Sequence, residues 1–273
     1  MQFLRPFNLL LVAGGLLGLS SCSTSSFYPS SNNFAPMIQE KGEVKVQGGL
    51  SIYANTLGYD LKAAYGITDH LEVLASTSSL SPAPEGQNNW NPNPTLPPQP
   101  NGMRGNQTEL GLGFTAQNDV LSYELTGGYG FLGGTTYGSN DELKHDFRAG
   151  RFFLQPAAGY RGDFAELIFS MRFSSIRFPE ISTDTLVGGG SNRNFAGFDN
   201  VPAENSRGYL FLEPAGALLL GGNQLKFKMQ VGFALPLQND QLAFNYEGSN
   251  VQIGVVYNFR PSTAEEGFIG LEP

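Results

Sequence analysis

The sequence of 273 residues is poor in several residue types that enzymes and metal proteins commonly use. It contains one cysteine, Cys22, two histidines, His70 and His145, and one tryptophan, Trp90. A single cysteine excludes an internal disulfide, and two distant histidines without further cysteines do not form a metal site. The formal net charge of −8 argues against nucleic-acid binding. No metal and no cofactor are expected.

Long apolar runs are missing too, except near the start of the chain. Residues 9–19, LLLVAGGLLGL, follow Arg5 and are typical of a secretory signal peptide, too short to span a bilayer as a helix. The next residues place the only cysteine in the sequence LSSC, which resembles the lipobox of bacterial lipoproteins. The resemblance implies cleavage after residue 21 and acyl chains, such as palmitate, on Cys22. The alternative is an ordinary signal peptide followed by a chance cysteine.

The composition after the signal peptide changes twice. Residues 23–36, STSSFYPSSNNFAP, are rich in serine and asparagine and predict a flexible tether that packs against nothing. The remainder has the glycine, phenylalanine and tyrosine content of an all-β domain. We therefore predict four parts, namely a signal peptide (1–21), a lipidated tether (22–40), one β-barrel (41–261) and a C-terminal tail (262–273).

Polar and apolar residues alternate in ten segments, which predicts ten β-strands. In the ninth, LKFKMQVGFAL, large apolar residues alternate with Lys, Gln and small residues. Pro156 and Pro214 fall inside the sixth and eighth segments and predict a bulge or a local break there. The predicted strands are residues 42–53, 57–67, 71–80, 107–116, 120–131, 147–161, 164–178, 208–220, 225–235 and 251–260.

The links between these strands alternate in length, apart from the first, around residues 54–56, which is short although it falls on the long-loop side. Four are tight, with the sequences TDH, QND, GD and GGNQ, and four are longer, at residues 81–106, 133–146, 179–207 and 238–250. Short turns at one end and long loops at the other are the layout of an outer-membrane barrel. An even number of strands ends on the side where it begins. We therefore expect both termini in the periplasm, with the Cys22 lipid in the inner leaflet of the outer membrane.

Several segments resemble the small outer-membrane β-barrel lipoproteins of Gram-negative bacteria, namely GEVKVQGG, GYDLKAAYGITDHLEVLAS, GGYGFLGG, RFFLQPAAGYR and VQIGVVYNFRP. The resemblance covers most of residues 40–261. It implies a closed, antiparallel, up-and-down transmembrane β-barrel and carries no catalytic residues. The sequence YNF also resembles the aromatic last strand that the barrel-insertion machinery recognises, although a tail follows it here.

The charged residues on the polar strand faces indicate whether these faces line the lumen or the outer surface of the barrel. They number seven of each sign, although the whole chain carries −8. A narrow lumen requires such a balance because unpaired buried charge is costly, whereas a soluble surface would show it by chance. We predict ion pairs in a lumen too full for a porin, formed by Glu43, Lys45, Asp60, Lys62, Glu72, Glu109, Glu124, Arg151, Glu166, Arg172, Lys226, Lys228 and Arg260, with Glu213 as a further charge.

The favoured function is a structural or surface-interaction role in the outer membrane. Its expected partners are outer-membrane lipid, the barrel-insertion machinery and an extracellular partner, but not nucleic acid. Residues 81–106 and 179–207 would be presented outside, with Trp90, Phe195 and Phe198 as candidate contacts.

Two alternatives remain open from the sequence. One is a periplasmic, lipid-anchored soluble barrel that binds a small apolar ligand, which requires Leu225, Phe227 and Val231 to pack centrally. The other is a lipid-modifying enzyme of the outer membrane, because His145 and Asp146 fall near Ser139 and Asp141 at the predicted outer rim. His70 belongs to a predicted turn and needs no catalytic explanation.

Overall fold

A computed structural model describes residues 26–53, 56–82, 103–118, 120–137, 143–162, 164–185, 208–237 and 244–260. The strands in these ranges are β1 (Ser26–Pro29), β2 (Val44–Ile52), β3 (Thr56–Gly66), β4 (Leu71–Pro82), β5 (Met103–Gln117), β6 (Leu121–Tyr137), β7 (Leu143–Arg161), β8 (Ala165–Thr185), β9 (Tyr209–Gly221), β10 (Leu225–Phe233), β11 (Leu235–Pro236), β12 (Asn245–Glu247) and β13 (Ser249–Phe259). A search of these residues finds no helix long and apolar enough to cross a membrane.

Ten of these strands close into one antiparallel barrel. Consecutive strands pair from β2 to β10, and the last strand, β13, pairs with β10 on one side and with β2 on the other. The short β11 continues β10 along β9, while β1 and β12 form a separate parallel pair. The prediction of a closed, ten-stranded, up-and-down transmembrane β-barrel is confirmed.

Strands β6 and β7 run further than predicted at the long-loop end. Residues 133–146, predicted as a link, belong to strands except for the part outside the described residues. Gly134 in the sequence GGTT allows this because β5 and β6 approach closely there. A Cβ on Gly134 would lie 2.4 Å from the carbonyl oxygen of Arg104.

Pro156 and Pro214 each interrupt one strand pairing without shifting it. The pairing of β7 with β8 stops at Leu154 and resumes at Ala157 in the same register. The pairing of β9 with β10 and β11 skips Pro214 in the same way. Because proline has no N–H to donate, the predicted local breaks occur where expected.

Large apolar side chains cover the outside of the barrel. Leu225, Phe227 and Val231 are 56%, 42% and 38% exposed, whereas Lys228 between them is 4% exposed. The same alternation runs around the barrel and produces an apolar belt of the kind that faces lipid. The soluble alternative placed these apolar residues in the centre and is therefore wrong. The belt includes Leu50, Tyr59, Leu61, Tyr65, Val73, Leu110, Leu112, Phe114, Tyr123, Leu125, Phe152, Leu154, Tyr160, Leu167, Phe169, Ile253, Val255 and Tyr257.

The alternation reverses beyond the belt at the long-loop end. Phe147 and Phe178 point inward and are 3% and 0% exposed. Arg148 and Glu180 point outward and form an exposed ion pair at 3.3 Å. This reversal is the pattern of a barrel surrounded by water, so β7 and β8 project beyond the membrane at this end.

Residues 27–38, the inner segment, pass through the lumen. Ten of these twelve residues are buried, and Asn32 and Ala35 are half-buried. The segment starts beside β12 at the long-loop end and descends to the short-turn end, where the Gly42 N–H donates to the Gly66 carbonyl at 2.8 Å. Gly42 has a φ of +84°, which suits glycine and lets the chain reverse into β2.

The expectation of an unpacked tether is wrong for the described part of residues 22–40. Serine and asparagine suggested a solvated linker, but the lumen is itself polar and supplies hydrogen-bond partners to such residues. Residues 1–25, including the predicted signal peptide and Cys22, lie outside the described residues, as does the tail 262–273.

The prediction that both termini lie in the periplasm falls on residues outside the described ranges, but the described chain does not begin and end on one side of the barrel. The two ends of the barrel do meet at the short-turn side, where Phe259 pairs with Val44. Ser26, however, lies at the opposite end, because the inner segment crosses the lumen before β2 begins. An even number of strands places the start of the first barrel strand and the end of the last one on the same side. It does not determine where the segment before β2 begins.

Candidate functional site

The upper lumen, at the long-loop end, is filled by a cluster of aromatic and aliphatic side chains that we call the mouth cluster. Phe27 of the inner segment sits in it, with ring centroids 5.4 Å from His145 and 5.6 Å from Phe147. Phe244, from the connection between β11 and β12, closes the top and is 3% exposed. The cluster consists of Phe27, Tyr28, Tyr53, Leu80, Met103, Leu132, Phe147, Ala149, Ile176, Phe178, Tyr209, Phe211, Ala234 and Phe244.

Below the mouth cluster, Glu109 lies between two buried arginines. Arg151 donates to Glu109, and Arg172 donates to both Glu109 oxygens at 3.1 and 3.2 Å. The Arg172 guanidinium also lies 4.3 Å from the ring centroid of Phe153. The triad of Glu109, Arg151 and Arg172 carries a net charge of +1. A further carboxylate in the same layer of the lumen compensates it.

That carboxylate is Glu213, which holds the inner segment. It accepts hydrogen bonds from the Tyr28 hydroxyl at 2.6 Å and from the Ser31 N–H at 2.9 Å and Ser31 hydroxyl at 3.0 Å. The Ser174 hydroxyl donates to it as well. Arg151 Nη1 donates to the Tyr28 hydroxyl at 2.8 Å, so the triad and Glu213 form one network.

A chain of hydrogen bonds runs along the inner wall over the neighbouring strands β10, β13, β2 and β3. Lys228 donates to Gln47 at 2.9 Å, Gln47 donates to Gln252 at 3.2 Å, and Gln252 donates to Asp60 at 2.6 Å. Lys62 lies 3.6 Å from Asp60 and donates to the backbone of the inner segment at 2.7 Å. The side-chain amides of Gln47 and Gln252 thus connect Lys228 to Asp60, which form no direct ion pair.

The lower lumen satisfies the backbone of the inner segment. Lys45 Nζ donates to the carbonyls of Pro36 and Met37 at 2.7 and 2.9 Å. The Met37 N–H donates to Glu124 at 2.8 Å. A buried backbone without such partners would be strongly unfavourable, so these contacts make the inner segment part of the fold.

The structure places most of the predicted lumen charges inside. Glu166 and Lys226 are half-buried near the short-turn end, and Arg260 is exposed at that opening. Ion pairs within 4.0 Å join Lys45 to Glu43, Lys62 to Asp60, Arg151 and Arg172 to Glu109, Lys226 to Glu166, and Arg260 to Glu43. The buried ones are Glu43, Lys45, Asp60, Lys62, Glu72, Glu109, Glu124, Arg151, Arg172, Glu213 and Lys228.

A cavity of about 150 Å³ opens at the short-turn end. Residues 34–36 and Gln39 form its inner wall, and the turns after β7 and β9 form its rim. Its charged lining consists of Lys45, Arg161, Glu166, Lys226, Lys228 and Arg260.

The residues considered for catalysis are not brought together in the described structure. His145 is 1% exposed and faces the mouth cluster, whereas Asp146 faces outward and bonds to Lys144 and Thr135. Ser139 and Asp141 lie outside the described residues, as do Trp90, Phe195 and Phe198. His70 lies in the exposed turn between β3 and β4, as predicted. No group of three potential metal ligands occurs within the described ranges.

The sequence prediction missed the inner segment and the mouth cluster. Phe27, Tyr28, Phe34, Met37 and Ile38 are the signal that was available, because a solvated linker seldom carries so many large apolar side chains.

No family model and no curated protein matches this chain. Solved structures of outer-membrane barrels do match it. The N-terminal β-barrel domain of Pseudomonas aeruginosa OprF is 11% identical, with 81% of this chain and 100% of that chain covered and a TM-score of 0.35. The P. aeruginosa outer membrane protein OprG is 15% identical, with 83% and 100% covered and a TM-score of 0.32. The translocator domain of the Neisseria meningitidis autotransporter NalP is 12% identical, with 93% and 95% covered and a TM-score of 0.40.

Likenesses at these identities and TM-scores carry no argument about function. The closed barrel, the apolar belt and the filled polar lumen carry the assignment instead. Together they define the chain as a transmembrane β-barrel of the outer-membrane type.

Proposed function

We propose that this chain is a lipid-anchored outer-membrane β-barrel with a structural or surface-interaction role, whose lumen is closed by its own inner segment. The observation that carries this proposal is the course of residues 27–38 through the lumen, with their backbone bonded to Lys45, Lys62 and Glu124. A barrel filled in this way is a scaffold that displays loops and not a passage for solutes.

The lipid anchor rests on the sequence LSSC at residues 19–22. The barrel already holds the chain in the membrane, so the lipid is not needed for attachment. Its role is to fix the start of the mature chain at the bilayer surface, since acyl chains contribute about 0.8 kcal/mol per buried CH₂.

The proposed partners follow from the surface of the barrel. The apolar belt binds outer-membrane lipid. Tyr257 and Phe259, at the end of β13, are 38% and 52% exposed with ring centroids 4.3 Å apart, and we assign to them the contact with the barrel-insertion machinery. Residues 81–106 and 179–207, with Trp90, Phe195 and Phe198, are proposed to contact an extracellular partner.

Three measurements test this function. The folded chain should migrate faster in a detergent gel before boiling than after it. Liposomes that contain it should not swell in small sugars. Cells should incorporate a labelled palmitate into the wild-type chain and not into Cys22→Ala. Sugar flux through the wild-type barrel, or loss of the fast-migrating form, contradicts the proposal.

A further inference from the structure

The inner segment determines at which end the mature chain starts. Tyr28 and Pro29 pair with β12 in the connection at the long-loop end, and residue 26 precedes them. From there the chain descends to Gly42 at the short-turn end. Ser26, the first described residue, therefore lies at the long-loop end.

We propose that the mature amino terminus emerges on the outer surface of the cell, so that the Cys22 lipid inserts into the outer leaflet. This inference rests on the lipid anchor proposed above and on the rule that the long loops of such barrels face outward. It reverses the periplasmic anchor that strand parity predicted.

The length of the chain limits the alternatives. Only four peptide units separate Cys22 from Ser26, and they span at most about 14 Å when fully extended. The hydrocarbon core of a bilayer is about 30 Å thick. The lipid therefore cannot reach the inner leaflet while the inner segment remains in the lumen. The contacts of Glu213 with Tyr28 and Ser31 oppose its withdrawal.

Epitope accessibility tests this arrangement in the full-length chain. One epitope is inserted after Thr24, and matched controls carry it after Gly189 in a long loop or after Gly222 in a short turn. We expect antibody to reach the Thr24 and Gly189 epitopes on intact cells and the Gly222 epitope only after permeabilisation. A Thr24 epitope that behaves like the Gly222 epitope overturns the proposal.

Palmitate labelling in the same strains separates this inference from the anchor itself. A labelled chain with an exposed Thr24 epitope supports both the lipid anchor and the outer location of the amino terminus. An unlabelled chain with an exposed epitope refutes the lipid anchor and with it the outer-leaflet lipid, but keeps the threading of the chain. A labelled chain with a hidden epitope supports the anchor and overturns the outer location.

The cavity at the short-turn end carries a second, independent inference. Five cationic side chains line it, with Glu166 as the one carboxylate among its lining residues. Glu166 is already bonded to Lys226 at 2.5 Å and lies 3.4 Å from Arg161. Glu43 lies behind the wall, 3.7 Å from Lys45. The lining therefore carries more cations than carboxylates, around a cavity large enough for several waters.

We infer that this cavity binds a phosphate group. Arg161 Nε lies 3.4 Å from Glu166 and makes no hydrogen bond among the described residues, and Lys228 donates only to Gln47 there. A phosphate carries a charge of about −1.5 to −2 at pH 7 and several acceptor oxygens, which suits cations converging from several strands. The group can be free phosphate or a phospholipid headgroup, since the cavity opens at the membrane edge of the lumen.

Thermal stability of the full chain in a zwitterionic detergent tests this site, with inorganic phosphate as the probe. We expect phosphate to raise the melting temperature of the wild type, with affinity about tenfold weaker in Lys226→Gln, and unchanged in the control Lys144→Gln at the other end of the barrel. Equal effects of phosphate on all three chains, or no effect of either phosphate or anionic phospholipid vesicles on the wild type, overturn the site. If only vesicles of an anionic phospholipid stabilise the chain, and Lys226→Gln reduces that effect, the headgroup is the ligand.

Discussion

Glu213 of β9 accepts a 2.6 Å hydrogen bond from the hydroxyl of Tyr28, 185 positions earlier in the chain. Both side chains are 1% exposed. This contact joins the start of the described chain to the opposite wall of the barrel. It makes the inner segment a structural element whose removal changes the stability and the permeability of the barrel.

Replacing Glu213 with alanine should lower the free energy of unfolding by about 3 kcal/mol, because several buried donors on Tyr28, Ser31 and Ser174 lose their acceptor. Urea unfolding of the refolded chain measures this change. The matched control is Glu180→Ala, which breaks only an exposed ion pair and should have little effect. Similar losses in the two variants would show that the inner segment is not held by Glu213.

Glu109→Gln should destabilise the barrel by about 3–5 kcal/mol, because it leaves the buried Arg151 and Arg172 without their shared carboxylate. Replacing all three residues with Leu or Met together with Glu213→Gln should recover most of that loss, since no uncompensated charge then remains in this layer. Urea unfolding midpoints of the single and quadruple variants test this expectation. A quadruple variant less stable than the single one contradicts the assigned role of the charge.

Deleting residues 24–38 should open the lumen to small ions. The segment fills the space between the mouth cluster and the short turns, and the wall left behind is polar. Single-channel recording in planar bilayers should show current steps for the deletion and none for the full chain. A chain without residues 262–273 serves as the control for truncation. A silent deletion variant that still shows heat-modifiable migration would mean that the wall side chains close the lumen unaided.

Leu112→Arg should cost about 2–4 kcal/mol in lipid vesicles, because Leu112 is 59% exposed in the middle of the apolar belt and its replacement carries charge into lipid. Asn106→Arg lies on the same face of β5, nearer the long-loop end, and should cost about 0–1 kcal/mol. Unfolding in urea from vesicles compares them. Equal, small effects would contradict a bilayer around this part of the barrel.

The ten barrel strands are predictable from the sequence because each strand has one face in lipid and one in a polar lumen. The alternation of Leu225, Phe227 and Val231 with Lys226 and Lys228 therefore reports the environment directly. Gly133 and Gly134 were assigned to a link because glycine usually marks a turn. At Gly134, glycine allows the close approach of two strands, which only the tertiary structure reveals.

The inner segment could not be predicted in the same way. Composition rules for linkers assume that polar residues prefer bulk water, whereas the interior of this barrel offers Glu213, Lys45 and Asn250 as partners. The mouth cluster was not predicted from the sequence for a related reason. Phe147 and Phe178 lie on the face that is polar lower in the same strands, since the surroundings change from lipid to water along one strand.

The pairing of Phe259 with Val44 has a consequence for biogenesis. A cylinder sealed along this seam has no sideways opening, and the packed side chains of the mouth cluster obstruct its long-loop end. Residues 27–38 must accordingly be enclosed as the sheet curls, before its first and last strands meet. The inner segment precedes the barrel strands in the sequence, and these later strands fold around it.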